Sequence, residues 1–155
     1  SPDELLAILA SKSRDNSRTP MPWHDGENGG FSDGEPWIAL GNNYREINVE
    51  AALADPESVF YTYQQLIALR KTTPVLTWGD YQDLLPDHPS LWCYRRQWQG
   101  QTLVVAANLS REFQPWQPPE MSGDWRALIG NYAETSNRPA AMTLRPFEAV
   151  WWLQA

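Results

Sequence analysis

The sequence has little cysteine and little histidine. Cys93 is the single cysteine among 155 residues, so no internal disulfide can form, and we expect a reducing, cytoplasmic setting. The two histidines, His24 and His88, are far apart in the sequence. No pair of His and carboxylate residues has a metal-ligand spacing such as i, i+4 on a helix. We therefore predict no metal site and no cofactor.

Basic residues and long apolar runs are also scarce. There are 12 Lys and Arg against 19 Asp and Glu, which gives a net charge of −7, and no basic cluster is present that could neutralise phosphates. No stretch approaches the roughly 18 consecutive apolar residues of a membrane-spanning helix, and no signal-peptide pattern follows Ser1. We expect a soluble protein without nucleic-acid or membrane partners.

Tryptophan, in contrast, is abundant: nine are present, together with six tyrosines. Exposed aromatic rings can stack on sugars, although rings in strands are more often part of a core. One hypothesis is therefore a noncatalytic carbohydrate-binding module, which would require a solvent-facing strip formed by several of Trp92, Trp98, Trp116 and Trp125. A purely structural domain is another alternative.

The first half of the chain carries helical signals on both sides of a long irregular stretch. Ser1 and Glu4 form a Ser-x-x-Glu capping box that predicts a helix at the start. Asn48 is expected to cap a short helix, and a longer helix is predicted over residues 55–71. Between these helices, turn residues predominate from residue 11 to about 48. Apolar residues within this stretch favour an ordered loop over disorder, and they are Met21, Trp23, Phe31, Trp37 and Ile38.

After Pro74 the apolar residues alternate with period two, which is typical of strands. Gln99-Gly100 predicts a tight hairpin, and the proline-rich residues 115–119 predict a loop. Seven or eight short strands favour an antiparallel sandwich of about 80 residues, with a boundary near residue 74. The predicted strands span residues 75–78, 81–85, 91–98, 102–109, 112–114, 125–129, 141–144 and 149–153.

Hydrolytic chemistry finds no support in the residues themselves. Glycoside cleavage ordinarily needs two carboxyl groups, and the irregular loop supplies candidates only by residue type. These acids lie among glycines without an apolar pocket, so a solvated loop is the favoured interpretation. We predict no catalytic residue in this chain. The acids are Asp25, Glu27, Asp33 and Glu35.

The most distinctive segment is residues 13–23, which places two guanidinium groups and a carboxylate close together. The planar fork of Arg14 or Arg18 suits a carboxylate or adjacent sugar hydroxyls. The alternative is that one of these arginines pairs with Asp15 or with a neighbouring helix and only holds the loop in place. From the residues alone, the alternative is favoured.

This segment closely resembles the Ser-Arg-Asp-Asn-x-Arg-Thr-Pro-Met-x-Trp signature of the oligo-1,6-glucosidase and trehalose-6-phosphate hydrolase group in the α-amylase superfamily. Further family motifs follow in the same order, so the resemblance covers essentially the whole chain. They are Gly30-Phe31, residues 35–38, Asn43-Tyr44, residues 46–50, residues 60–63, residues 69–71, Ala107-Asn108 and residues 144–149.

The resemblance implies an α/β barrel end-piece followed by an all-β antiparallel sandwich domain. Residues 1–74 would be the C-terminal portion of a (β/α)8 catalytic barrel, with the loop after the last strand and the last barrel helix. Residues 75–155 would be the C-terminal antiparallel β domain. The catalytic carboxylates of the family lie on upstream strands, so the chain alone is expected to be inactive.

The resemblance also implies a site and a substrate. Arg14 best matches the family arginine at the subsite of the non-reducing glucose, which reverses the preference stated above for that residue, and Arg18 is the second choice. The intact protein would bind a small sugar and hydrolyse trehalose 6-phosphate to glucose and glucose 6-phosphate. An oligo-1,6-glucosidase or a related α-glucosidase is the alternative.

Overall fold

The structure is a computed structural model that describes residues 1–12, 14–118 and 121–154. Within these ranges, the side chains of Ser11, Lys12, Arg14 and Asn16 are not described. The chain divides into two compact units, residues 1–66 and residues 67–155. The predicted domain boundary at residue 74 stays a prediction.

The first unit begins with the predicted capped helix, α1 (Pro2–Lys12). Ser1 Oγ accepts a hydrogen bond from the Glu4 backbone N–H at 3.2 Å, and the Glu4 carboxylate accepts one from the amino terminus at 2.5 Å. These bonds occupy backbone donors that a helix start leaves unpaired. The large apolar side chains of this helix are exposed, and they are Leu5, Leu6, Ile8 and Leu9.

The helix predicted after Asn48 is present as α2 (Val49–Ala54), and the longer helix is α3 (Val59–Thr72). Asn48 Oδ1 accepts the Ala51 N–H at 2.8 Å, as an N-cap residue does. The predicted start of the longer helix at residue 55 is wrong, because Asp55 instead forms a turn. Its side chain accepts the N–H of residue 57 at 2.9 Å, an alternative to helix that aspartate offers the backbone.

The strand predicted over residues 75–78 is also wrong, since this segment is a helix, α4 (Pro74–Trp78). Pro74 occupies the first helical turn, where its fixed φ is favourable and its missing N–H costs nothing. Gly79 closes the turn by donating its N–H to the Val75 carbonyl at 3.1 Å. Val75 and Leu76 are buried, so the apolar run that suggested a strand is the packed face of a short helix.

Over its described residues, the second unit contains the predicted antiparallel β domain, with seven strands in two sheets. A five-stranded sheet has the order β1-β2-β3-β7-β5, and β4 pairs with β6 in a two-stranded sheet. Residues 114–116, predicted mostly as loop, form β4, and Trp116 in this strand is buried. The strands are β1 (Gln82–Asp83), β2 (Leu91–Trp98), β3 (Gln101–Asn108), β4 (Gln114–Trp116), β5 (Trp125–Gly130), β6 (Met142–Leu144) and β7 (Ala149–Gln154).

The core of the β domain has a layer on each face of the large sheet. One layer joins the two sheets, and in it the rings of Trp116 and Trp152 stack with centroids 5.3 Å apart. The other layer packs α4 against Leu103, Val105 and Leu153. Because β3 faces both layers, its apolar residues form a continuous buried run rather than an alternating one.

Candidate substrate-binding loop

The signature segment opens with a short 3₁₀ helix, Arg14–Ser17, after which the Arg18 N–H donates to the Asp15 carbonyl at 3.0 Å. The backbone of Arg14 lies in this turn, and its side chain is outside the described residues. Arg18 is exposed. Within the described residues, its guanidinium group makes no hydrogen bond or ion pair, so the predicted alternative of an Arg18–Asp15 pair is not formed there.

The loop that follows is held in shape by backbone hydrogen bonds. The Gly29 carbonyl accepts from the N–H groups of Trp23 at 2.7 Å and His24 at 3.3 Å. Gly29 has φ +60°, and a Cβ there would lie 2.5 Å from Leu40 and 3.2 Å from the Pro22 Cα. Both the left-handed backbone and the close packing therefore require glycine at this position.

Polar side chains complete the ordering of the loop. Asn28 Nδ2 donates to the carbonyls of Ser32 at 3.2 Å and Gly34 at 3.1 Å. His24 Nδ1 accepts the Gly26 N–H at 3.0 Å, so in neutral His24 the ring proton lies on Nε2. These polar contacts add to the backbone hydrogen bonds and the close packing at Gly29 in ordering the loop.

The same loop is joined to the start of α2. The carbonyls of Pro22 and Trp23 accept the N–H groups of Val49 and Glu50, each at 3.0 Å. These N–H groups belong to the first helical turn and have no partner within the helix. The signature segment and α2 therefore support each other across more than 20 residues of sequence.

The expected apolar anchors of the loop are largely exposed. Met21, Trp23 and Phe31 are about half exposed, and Trp37 is 98% exposed. The sequence-based expectation of an ordered loop agrees with the backbone hydrogen bonds described above, and within the described residues these apolar side chains remain uncovered. Large exposed apolar side chains grouped in this way are typical of a surface that binds a ligand or another part of a protein.

Two hollows lie on this loop, and Phe31 borders both. The first has a volume of about 280 Å³ and combines the cation of Arg18 with apolar walls from Met21, Phe31 and Trp37. The second has a volume of about 480 Å³ and is polar, with His24 and Asp33 among its lining residues. An arginine beside aromatic and thioether groups can hydrogen-bond sugar hydroxyls while the apolar groups cover the C–H face of the ring.

The sequence alone identified Arg14 and Arg18, and the structure adds Met21, Phe31 and Trp37 to the surroundings of Arg18. In the sequence these three are apolar residues of a turn-rich segment, a pattern that indicates an ordered loop and does not by itself indicate a binding site. In the described residues, no group of three or more His, Cys, Asp or Glu side chains could hold a metal ion.

Of the four tryptophans from which a solvent-facing strip was predicted, two are covered by the core and two are exposed. Trp116 is 4% exposed, and Trp125 packs partly against the core between the sheets. Trp92 and Trp98 are exposed.

In the described part of the chain, no helix is long and apolar enough to cross a membrane.

The order of these elements and the signature segment agree with a known family. The model named Alpha-amylase, which describes the alpha amylase catalytic domain, matches residues 1–79, just over half of the chain. The chain belongs to the α-amylase family. The resemblance stated from the sequence is thereby confirmed at the level of the family.

Individual members of the α-amylase family are similar over nearly the whole chain. Trehalose-6-phosphate hydrolase of Escherichia coli K12 is 72% identical over 152 residues, which are 98% of this chain and 28% of that protein. Oligo-1,6-glucosidase of Heyndrickxia coagulans is 43% identical over 155 residues, covering 99% of this chain and 27% of that protein. The chain thus spans little more than a quarter of the length of these relatives.

Solved structures show the same fold. The crystal structure of Bacillus licheniformis trehalose-6-phosphate hydrolase matches with a TM-score of 0.91 and 39% identity, over 97% of this chain and 28% of that one. A trehalulose synthase structure matches with a TM-score of 0.91 and 34% identity, over 98% of this chain and 28% of that one. The helices and antiparallel sheets described above are therefore those of α-amylase-family enzymes.

Proposed function

We propose that this chain is the C-terminal part of a retaining α-glucosidase that hydrolyses trehalose 6-phosphate to glucose and glucose 6-phosphate. The observation that carries the proposal is the high identity, over nearly the whole chain, to the Escherichia coli enzyme named for this substrate. Oligo-1,6-glucosidases are also among the relatives, so an isomaltose-type α-glucoside is the second candidate substrate.

In this proposal, residues 1–74 are the end of a (β/α)8 barrel and residues 75–155 are the C-terminal β domain. The loop over residues 13–48 would follow the last barrel strand, and α3 would be the last barrel helix. Active sites of such barrels lie at the C-terminal ends of the strands, where this loop would lie. The two carboxyl groups needed for cleavage would come from other parts of the protein, so this chain alone is expected to be inactive.

We assign sugar binding to Arg14 and, second, to Arg18. The planar fork of Arg14 would hold hydroxyl groups of the non-reducing glucose, beside a turn that the Asp15 carbonyl closes. Arg18 lies at the hollow lined by Met21 and Phe31, which supports a contribution to the same sugar. A cytoplasmic location remains a prediction that rests on the single cysteine.

The test is steady-state hydrolysis by the full-length protein, with trehalose 6-phosphate and isomaltose as separate substrates and glucose 6-phosphate as the diagnostic product. Arg14→Ala should lower kcat/KM by tenfold or more, because a hydrogen bond to a charged group contributes about 1.5 to 3 kcal/mol. Arg14→Lys should restore little, since an ammonium group cannot reproduce the fork. Arg18→Ala should have the smaller effect.

Arg126→Ala is the matched control, because this arginine is exposed on β5 and should leave the rate unchanged. An Arg14→Ala protein as active as the parent would remove Arg14 from the site. Release of glucose from isomaltose without release of glucose 6-phosphate from trehalose 6-phosphate would favour the second substrate. No hydrolysis of either would leave only a binding or structural role.

A further inference from the structure

An aromatic cluster lies on the face of the large sheet that carries Trp92 and Tyr94. Tyr94 is its centre, with ring centroids 5.3 Å from Tyr81 and 5.2 Å from Trp92. Asp83 pairs with Tyr94 across β1 and β2, which brings a carboxylate to the same part of the sheet. We call Tyr81, Trp92 and Tyr94, with Asp83 at their edge, the aromatic cluster.

The outer rings of the cluster face solvent. Tyr81 is 56% exposed and Trp92 is 48% exposed, whereas Tyr94 between them is only partly exposed and packs against the core layer below α4. By contrast, the stacked rings of Trp116 and Trp152 in the same domain are buried. The core of the β domain therefore leaves about half of the Tyr81 and Trp92 side chains uncovered.

Hydrogen bonds fix the polar edge of the cluster. Trp92 Nε1 donates to Tyr81 Oη at 3.3 Å, and Tyr81 Oη donates in turn to Asp83 Oδ2 at 3.5 Å. The other carboxylate oxygen of Asp83 accepts the Leu85 N–H at 2.9 Å, which orients the group. A hydroxyl and a carboxylate thus lie beside two half-exposed aromatic side chains, and both polar groups can accept hydrogen bonds from an incoming hydroxyl group.

We infer that the aromatic cluster is a binding site for a glucose unit of an α-linked oligosaccharide. A gluco-configured pyranose carries its hydroxyl groups around the ring edge and its C–H bonds on the faces. Its faces can stack on Tyr81 and Trp92, while an edge hydroxyl donates to Asp83. The choice of glucose as the sugar rests on the proposed α-glucosidase function, and the stacking itself rests on the geometry of the cluster.

The site is tested on the full-length protein labelled with 5-fluorotryptophan, by ¹⁹F NMR titration with maltotriose. The Trp92 resonance, assigned by its loss in Trp92→Phe, should shift saturably. The Trp98 resonance, assigned in the same way, is the matched control and should stay constant, because Trp98 is exposed on the same strand but outside the cluster. Tyr81→Ala should weaken the binding read at Trp92 by about tenfold, as expected for one lost stacking partner.

Tyr81→Phe keeps the ring and removes the hydroxyl, so it tests the polar edge even if Tyr81→Ala fails to fold. It should weaken binding less than Tyr81→Ala, and Asp83→Asn should weaken it as well. The inference would be overturned if maltotriose did not shift the Trp92 resonance. It would also be overturned if the resonance shifted equally in Tyr81→Phe, Asp83→Asn and the parent protein. Hydrolysis by Trp92→Phe reports on the proposed function separately, because the cluster has no assigned role in turnover.

Discussion

Arg145 and Glu148 form a forked ion pair beneath the turn that leads into β7. Arg145 Nη2 donates to Glu148 Oε1 at 2.8 Å, and Arg145 Nε donates to Oε2 at 3.0 Å. The Arg145 backbone N–H also donates to Oε2 at 2.8 Å, and the guanidinium group lies 3.9 Å from the centroid of the Tyr132 ring. Glu148 is fully buried, and the three hydrogen bonds that its carboxylate accepts from the described residues all come from Arg145.

Removing Arg145 should destabilise the β domain strongly. Arg145→Ala would leave the Glu148 charge buried without its partner, and breaking a buried ion pair in this way costs about 3 kcal/mol. Urea unfolding measures the change in the free energy of unfolding. Arg138→Ala is the control, since Arg138 is exposed and should change stability little. Equal stability of the two variants would show that the pair contributes nothing to the fold.

The same pair should make stability depend on pH. The hydrogen bonds from the Arg145 side chain, and then the one from its backbone N–H, hold the pKa of Glu148 below its ordinary value of 4.5. A carboxyl group whose pKa is depressed by folding contributes stability that is present above its unfolded pKa and is lost as pH falls through the folded pKa. Urea unfolding between pH 7 and pH 3 should show this loss, and Glu148→Gln should show less of it.

Local sequence patterns correctly predicted the helix caps and the long strands, which are determined by residues close together in the sequence. The capping box at Ser1 and the N-cap at Asn48 have the expected hydrogen bonds, and the long strands over 91–98 and 102–109 lie within a residue of their predicted ends. In each case the residues that fix the element lie within it or beside it.

The remaining features depend on distant contacts. The apolar run over residues 75–78 is compatible with either a strand or a helix, and its packing against β2 and β3 favours the helix α4. In the site, the signature identified Arg14 and Arg18, but the approach of Phe31 and Trp37 to Arg18 depends on turns between them. A sequence pattern gives the type of each turn and not the position of a side chain ten or more residues away.

Asn108 should be more important for stability than a surface position would be. It is 1% exposed, and its Nδ2 donates to the carbonyls of Glu112 at 2.7 Å and Arg145 at 2.9 Å while its Oδ1 accepts the Ser110 N–H at 3.0 Å. Asn108→Ala would leave these buried groups unpaired, at a cost of about 2 to 3 kcal/mol. Thermal unfolding measures the loss. Asn137→Ala, at an exposed position, should be nearly neutral.

Arg96 should stabilise the end of α4 through its guanidinium group. Its nitrogens donate to the carbonyls of Leu76, Gly79 and Asp80, and the bond to Asp80 measures 3.1 Å. These carbonyls lie at the helix C-terminus, where acceptors lack helical partners and a cation is favoured. Arg96→Ala should cost about 2 kcal/mol in the free energy of unfolding.

Arg96→Lys separates the geometry of this contact from its charge. A lysine keeps the cation but lacks the fork, so it should recover only part of the loss. Arg95→Lys is the matched control on the same strand, because Arg95 bonds a single side-chain oxygen, that of Gln82. Full recovery of stability in Arg96→Lys would show that the charge alone is sufficient.

The hairpin between β2 and β3 offers a stabilising substitution. Trp98 pairs with Gln101, so the turn consists of two residues, and both have positive φ: 46° at Gln99 and 85° at Gly100. Such turns favour Asn-Gly, because asparagine adopts the left-handed region more easily than glutamine. Gln99→Asn should therefore raise the free energy of unfolding by about 0.5 kcal/mol, measured by urea unfolding.

Gly100→Ala should act in the opposite direction and cost about 1 kcal/mol, because alanine disfavours a positive φ. A Cβ at Gly100 would meet no atom within 4 Å, so the loss cannot come from a clash and must reflect the backbone alone. Gln101→Asn makes the same side-chain change as Gln99→Asn but lies in the regular strand β3, where it should give no stabilisation. If Gln99→Asn raised the free energy of unfolding no more than Gln101→Asn does, the left-handed conformation at Gln99 would not limit the stability of this hairpin.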